Sequence, residues 1–298
     1  MQRPEGPFPV PEQRVGACAA TAMTLVYSAP TPGAGSRYLD GPVAHESRVL
    51  AALSVRDALA GAARRSVGET VLEATLSSLA LAGFADARSA GYLAPLSRSA
   101  ALGESSERTL RGLGHEEILY FVRAFEAAGD AGPLVSSLRV ALGAGRDATL
   151  RDAMRFTAAR DPLARDYARN YEVPRELARP ALLTALSRSE SARGAIVQSY
   201  LEVLSEIPDL DVTARAGRRE AEEVSRMASG VLKAGGVRSR RGLQAIANLD
   251  GLLRANRRFA PTATEPVVLV AAFLVALEHG PEALGHRLPP ATGGNRGR

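Results

Sequence analysis

Apolar residues recur along this chain at spacings of three and four, the period of one face of a helix, and turn residues break the recurrence at regular points. Val15, Cys18, Ala22, Leu25 and Val26 form a first stripe, ended by Pro30-Thr31-Pro32-Gly33. Val49, Leu50, Leu53 and Leu59 form a second, and Val71, Leu72, Leu76 and Leu79 a third that stops at Gly83. Ile118, Val122 and Phe125 repeat the spacing before Gly129. Leu150 and Met154 lead to Asp161-Pro162, which reads as an N-cap followed by proline in the first turn. Ile196, Val197, Tyr200, Leu201 and Leu204 end at Pro208, and Val224, Met227 and Val231 end at Gly235-Gly236. Leu243, Ile246, Leu249 and Leu253 follow a Ser239 cap.

The run Val267 to Leu277 has no polar face, so it is expected to be a buried central helix. No alternating strand pattern of useful length occurs, and Gly103–Gly114 and Gly129–Asp147 read as loops or short helices. The pattern predicts an all-α, single-domain multi-helix bundle over residues 12–288 with a buried apolar C-terminal helix. A Pro-rich arm, 1–11, and a Gly- and Arg-containing tail, 289–298, are expected to be disordered.

Composition supports this assignment. Aromatic residues make up only 5%, Trp is absent, and Ala and Leu dominate, which favours helix over sheet. With Cys18 as the sole cysteine, neither an intramolecular disulfide nor a Cys-based zinc site can form. Val15-Gly16-Ala17-Cys18 mimics a lipoprotein cleavage box, but Glu12, Gln13 and Arg14 stand where its apolar stretch belongs. The apolar run Val267–Leu277 is about half of the ~20 residues a membrane span needs, so the expected location is cytoplasmic, with no membrane partner. Arginine carries nearly all of the positive charge, since Lys233 is the only lysine. The arginines alternate with acids instead of forming a stripe with aromatics, which argues against a nucleic-acid partner.

Most catalytic signatures are missing: there is no Gly-rich loop ending in Lys-Ser/Thr, no Gly-x-Ser-x-Gly, and no metal-ligand spacing among His45, His115, His279 and His286. Three segments remain. The first is the Pro/Gly loop from Tyr27 through Gly33, Arg37 and Asp40, followed by His45-Glu46. The second runs from Asp161 to Tyr171, where Asp161, Arg165 and Asp166 lie about one turn apart. The third is Glu206-Ile207-Pro208-Asp209, leading to Arg215, Gly217 and Glu222-Glu223. Helix caps and inter-helix ion pairs would produce the same residue types, and Glu222-Glu223 also reads as a solvated face.

In their order and text these segments resemble the triphosphoribosyl-dephospho-CoA synthase family, in a divergent bacterial and archaeal branch. The family's Tyr-Pro-Lys-Pro-Gly-Asn-Val loop is similar to Ala29-Pro30-Thr31-Pro32-Gly33-Ala34-Gly35. Its Glu-Ala-Met-Arg and Asp-x-x-Ala-Arg-x-Tyr motifs match Asp152-Ala153-Met154-Arg155 and Asp161, Ala164, Arg165 and Tyr167. Pro208-Asp209, Arg215, Gly217, Glu222-Glu223-Val224 and Ala234-Gly235-Gly236 follow at family spacing. Four departures stand out: Thr31 replaces the loop lysine, and Ala34 the asparagine. Arg88-Ser89-Ala90-Gly91 keeps only the glycine of its motif. Ala260-Pro261-Thr262-Ala263-Thr264-Glu265-Pro266 has proline at the motif aspartate, next to Glu265.

The resemblance implies a glycosyl transfer in which the 2′-hydroxyl of dephospho-CoA attacks C1′ of ATP and adenine departs. It implies ATP and a CoA-like nucleotide as partners, with Mg²⁺ as cofactor alongside ATP. Among the residues present it assigns His45, Glu46 and Asp166 to catalysis, and Gly33, Arg37, Asp40, Gly91, Arg165 and Arg215 to substrate binding. Asp161 and Asp209 would be metal ligands, and all of these residues are expected to converge on one cleft. Two readings stay open: the transferase itself, and a repurposed homologue acting as a partner protein in coenzyme biosynthesis, in one-carbon pathways for example. An assembly with itself or another chain also stays open.

Overall fold

The computed structural model describes residues 9–38, 41–188 and 191–285; Asp40 and most of the two terminal segments lie outside them. No strand occurs among the described residues, and fifteen α-helices account for most of them. In order these are α1 (Glu12–Ser28), α2 (His45–Ala60), α3 (Val67–Ala82), α4 (Ala87–Leu102), α5 (Ser106–Arg111), α6 (Glu116–Ala127), α7 (Pro133–Gly143) and α8 (Leu150–Thr157). There follow α9 (Pro162–Ala168), α10 (Arg179–Ser187), α11 (Ala192–Glu206), α12 (Leu210–Ala216), α13 (Arg218–Lys233), α14 (Arg240–Ala255) and α15 (Thr264–His279).

Helix boundaries fall where the local chemistry places them. Ser66 and Glu69 form a reciprocal capping box at the start of α3, and Asp161 caps α9 with Pro162 behind it. Gly235 and Gly236 adopt φ of 109° and 54° after α13, left-handed values that side-chain-bearing residues avoid. The two Gly-rich stretches hold short helices, α5 and α7.

Helix α15 lies against α1, α4, α10 and α11, and every residue from Pro266 to Phe273 is buried. The Cys18 thiol, in the middle of α1, meets the Ala276 carbonyl at 3.3 Å, and burial pushes its pKa up to about 11. Among the described residues, no helix is long and apolar enough to cross a membrane.

Three of the expected stripes are corrected in part. In α2, Leu50 and Leu53 are 40% and 51% exposed, and the buried face consists of Ala51, Ala52, Val55, Ala58 and Leu59. The helices approach closely here: a Cβ on Gly16 of α1 would lie 2.4 Å from the Arg56 carbonyl oxygen, and three of the five residues of the buried face are alanines. In α3, Leu76 is exposed while Thr70, Thr75 and Ser78 are buried. Their hydroxyls donate to the carbonyls of Ser66, Val71 and Ala74, one turn back, which offsets the cost of burying them. In α14, Leu243 is exposed while Leu249 and Leu253 are buried.

The arm assignment also changes at its inner edge. The Val10 N–H donates to the Ala100 carbonyl at 2.9 Å, and Pro9 packs over Gly103, so residues 9–11 belong to the folded body. The expected tail, 289–298, lies outside the described residues.

Phe273 is fully buried in α15. Phe273→Ala is expected to cost about 3–5 kcal/mol in urea unfolding, from lost transfer free energy and the cavity left behind; a change near zero would mean that α15 is not the centre of the core.

Candidate active site

One end of the bundle gathers the first turns of α4, α9, α12 and α15. Three of these helices begin at an aspartate, because a short carboxylate in extended backbone accepts from the otherwise unpaired first-turn N–H groups. Asp86 accepts from the Ser89 N–H at 2.9 Å and from the hydroxyls of Ser89 and Tyr27 at 2.6 and 2.8 Å. Asp161 accepts from the Ala164 N–H at 2.9 Å.

Asp209 serves two helices at once. Its Oδ1 accepts from the N–H groups of Asp211 and Val212 at 2.9 and 3.0 Å, at the start of α12. Its Oδ2 accepts from the Ala263 N–H at 2.9 Å and the Thr264 hydroxyl at 2.8 Å, at the start of α15. Burial, and secondarily the neighbouring Asp211 charge, push its pKa up to about 6, against the pull of these donors.

Arg88, in the first turn of α4, ties the caps together. Its guanidinium meets Asp211 at 3.1 and 3.3 Å, Asp161 at 3.5 Å and Asp130 at 3.7 Å. Burial opposes its charge, but the three carboxylates outweigh burial and raise its pKa above the ordinary arginine value. Burial likewise raises the Asp161 pKa, and Arg88 offsets part of that rise.

A second ion pair lies across the first turn of α15. Arg48 donates to Glu265 at 2.6 Å and to the Gly35 carbonyl at 2.9 Å, with its guanidinium carbon 4.0 Å from the Tyr27 ring centre. Glu265 has its pKa raised by burial despite Arg48, and its Oε1 is buried without a hydrogen-bond partner. The Pro/Gly loop reaches the same place: the Tyr200 hydroxyl lies 3.1 and 3.3 Å from the carbonyls of Pro32 and Pro261. Gly33, at φ 82°, donates to Asp250 at 2.8 Å, and a Cβ there would press on Pro261 and Leu253 at 3.1 and 3.2 Å.

Of the residues singled out from sequence, Asp161, Arg165, Asp209, Arg215 and Gly33 come together at this end. Arg165, Pro208, Asp209, Leu210, Thr264 and Val267 line a narrow cleft. Arg215 donates to the Ala260 carbonyl and to the Thr262 hydroxyl, and that hydroxyl donates to Asp211 at 2.7 Å. His45 opens α2 one turn before Arg48, half-buried, with a buried Nδ1 that has no partner among the described residues. Glu46 is exposed.

Arg37, Gly91 and Asp166 are not among the residues that line this narrow cleft. Arg37 is exposed, and Asp40 lies outside the described residues. Gly91 is buried in α4, where a Cβ would meet Leu163 at 2.9 Å, and its carbonyl accepts from the Tyr167 hydroxyl at 2.6 Å. It lets α9 pack. Asp166 is fully buried and so cannot touch a substrate in this conformation. Arg165 Nε stands 3.7 Å away and Tyr92 is near, but burial outweighs both and pushes its pKa up to about 6. Among the described residues no three His, Cys, Asp or Glu side chains are grouped to hold one ion. Asp209 accepts from four donors, and Asp161 from a backbone N–H and Arg88.

The sequence pattern missed Arg88, Asp211 and Arg48 as members of the cluster. The only signal for Arg88 was its place beside the matched Gly91. Its partners at Asp130, Asp161 and Asp211 are too distant in the chain for any spacing to reveal.

A family model for ATP:dephospho-CoA triphosphoribosyl transferase matches residues 12–283 of the chain. A solved structure from Archaeoglobus fulgidus, named as a presumed triphosphoribosyl-dephospho-CoA synthase, superposes with a TM-score of 0.58 at 20% identity. The match covers 77% of this chain and 97% of the archaeal one, and at that identity it speaks for the fold. No curated protein matches.

Two outcomes follow from the buried charges. Arg88→Met leaves Asp161 and its neighbours uncompensated, and is expected to cost about 3–5 kcal/mol at pH 7.5, with the loss shrinking at pH 4 as carboxylates protonate. For Asp166, the folded pKa of about 6 exceeds the unfolded value of about 3.9, so this group's contribution to stability is largest below pH ~4 and is lost as pH rises through ~6. Asp166→Asn removes that penalty. Urea unfolding should show the variant about 1–3 kcal/mol more stable than the parent at pH 8 and equal to it at pH 4; a variant less stable at pH 8 would show that the charged form is compensated.

Proposed function

The chain belongs to the ATP:dephospho-CoA triphosphoribosyl transferase family, and from that premise we propose that it transfers the triphosphoribosyl group of ATP to the 2′-hydroxyl of dephospho-CoA or a close CoA-like nucleotide. The acceptor 2′-oxygen bonds to C1′ of the ATP ribose. The C1′–N9 bond breaks with its electron pair going to adenine, and the hydroxyl proton passes to a base. The observation that carries the reading is the convergence of the resembling segments. The Pro/Gly loop, the start of α4, the Asp161–Arg165 turn, Pro208–Asp209 and the Ala260–Glu265 segment are joined by direct contacts at one end of the bundle.

Within that end, Arg165 on the cleft and Arg215 on the Ala260–Thr262 segment are the cations for the triphosphate, since a guanidinium matches phosphate oxygens with a planar pair of donors. Arg37, exposed on the loop, is a further cation for the solvent side. Mg²⁺ enters with the ATP substrate, neutralising charge on the phosphates. His45 is the base, its imidazole held at the start of α2 with an unpartnered Nδ1, and Glu46 beside it is the second candidate. Glu265, with one oxygen unpartnered among the described residues and a pKa raised by burial, stands next to the position where the resembling family carries its motif acid. ATP as substrate supports a cytoplasmic location.

The test is chromatographic. Incubation with Mg²⁺, ATP and dephospho-CoA is expected to release adenine only when both nucleotides are present, and His45→Ala should slow release by about 10²–10⁴-fold. Folded protein that releases no adenine would overturn the transferase reading in favour of a partner role.

A further inference from the structure

A second cleft lies away from the helix N-termini, at the other end of α9. It has a volume of about 210 Å³ and is walled by α5, α8 and the turn after α9. Its floor is apolar: Leu110, Leu113 and Met154 are 6%, 3% and 1% exposed. Its rim is basic, formed by Arg111, Arg151 and Arg155. Arg111 pairs with Glu107 one turn earlier. Arg151 and Arg155 have no side-chain partner among the described residues, although they stand at i and i+4 on α8, where like charges repel. The walls are fixed in place. The N–H groups of Leu150 and Arg151 donate to the carbonyls of Gly114 and Leu113 at 3.2 and 3.4 Å, and Asn170 Oδ1 accepts from Ser106 at 2.7 Å. Asn170 and Tyr171 both carry positive φ, 51° and 58°, in the turn that sets Asn170 at the cleft edge.

An uncompensated pair of guanidinium groups above a dry floor calls for a ligand with an anionic end and an apolar body. We propose that this cleft binds a phosphate ester, its phosphate held by Arg151 and Arg155 and its organic part laid over Leu110, Leu113 and Met154. Phosphate suits two adjacent arginines because each can present paired N–H donors to its oxygens. The volume admits a small organic group and excludes a whole dinucleotide. The site is separate from the proposed transferase centre: α9, seven residues and so about 10 Å long, stands between the Asp161 cap and this cleft.

Calorimetric titration of the intact chain with phenyl phosphate tests the assignment. The wild type is expected to bind phenyl phosphate more tightly than inorganic phosphate, because only the ester covers the floor. Arg151→Gln with Arg155→Gln should weaken phenyl phosphate binding by about tenfold or more, the loss of a charge-assisted contact. Its melting temperature should be unchanged or higher, since neither side chain has a partner to lose. Arg165→Gln should leave the binding intact. No saturable binding by the wild type, undiminished binding by the double variant, or loss of binding in Arg165→Gln instead would each overturn the proposal. Displacement of bound phenyl phosphate by dephospho-CoA assigns the cleft to the acceptor's own phosphate, and persistence assigns it to a second ligand; both support the site. The titration is independent of adenine release, so failure of the transferase reading leaves it standing.

Discussion

Helix α15 has no polar side, and the arrangement of the bundle follows from the need to cover it. Water is excluded from Pro266 through Phe273 by α1, α4, α10 and α11, and the smallness of many covering residues lets those helices come close. The same constraint creates a difficulty at the first turn of α15, where the N–H of Ala263 and the Thr264 hydroxyl are buried next to apolar neighbours. Asp209 resolves it by accepting from both while capping α12. A carboxylate that closes two helix starts fixes their relative position, and the polar end of the molecule is organised around it.

That end concentrates buried charge to an unusual degree. Asp161 and Asp209 are almost fully buried, and Arg48, Arg88 and Glu265 are partly so. Each would be costly alone. Together they are tolerated because most of their donors and acceptors are matched: Arg88 serves three carboxylates, and Arg48 serves Glu265 and a loop carbonyl. The exceptions are informative. Burial raises the pKa values of Asp166 and Glu265 despite the arginine beside each. A phosphate arriving at this end meets arginines already partnered by protein groups, so it has to compete for them, whereas in the lateral cleft Arg151 and Arg155 have no competitor among the described residues.

Family membership and residue replacement bear on different parts of the molecule. The fold persists through the replacements because they fall where packing can absorb them. Thr31, at the position of the loop lysine, is buried with its hydroxyl unpartnered, and Arg88 turns inward to the carboxylates. Fold and chemistry are separable in this way because a bundle is held by its apolar seams while activity depends on a few polar side chains.

Helix existence, the caps at Asp161 and Ser239, the glycine stop after α13 and the apolar character of α15 were determined by the sequence alone, because each depends on residues within one or two turns. The residue types of the site were legible too, through the order of the matched segments. What each side chain faces was decided only by tertiary structure. Leu50, Leu53 and Leu76 have the spacing of a buried stripe but point outward, because α2 and α3 pack through other faces, rich in Ala, Thr and Ser. Gly91 reads as a binding-loop glycine but serves helix packing, and Asp166 reads as accessible but is sealed inside. Arg88 showed no local signal beyond its place near the matched Gly91. Its role exists only because folding brings Asp130, Asp161 and Asp211, from three separate parts of the chain, around one guanidinium.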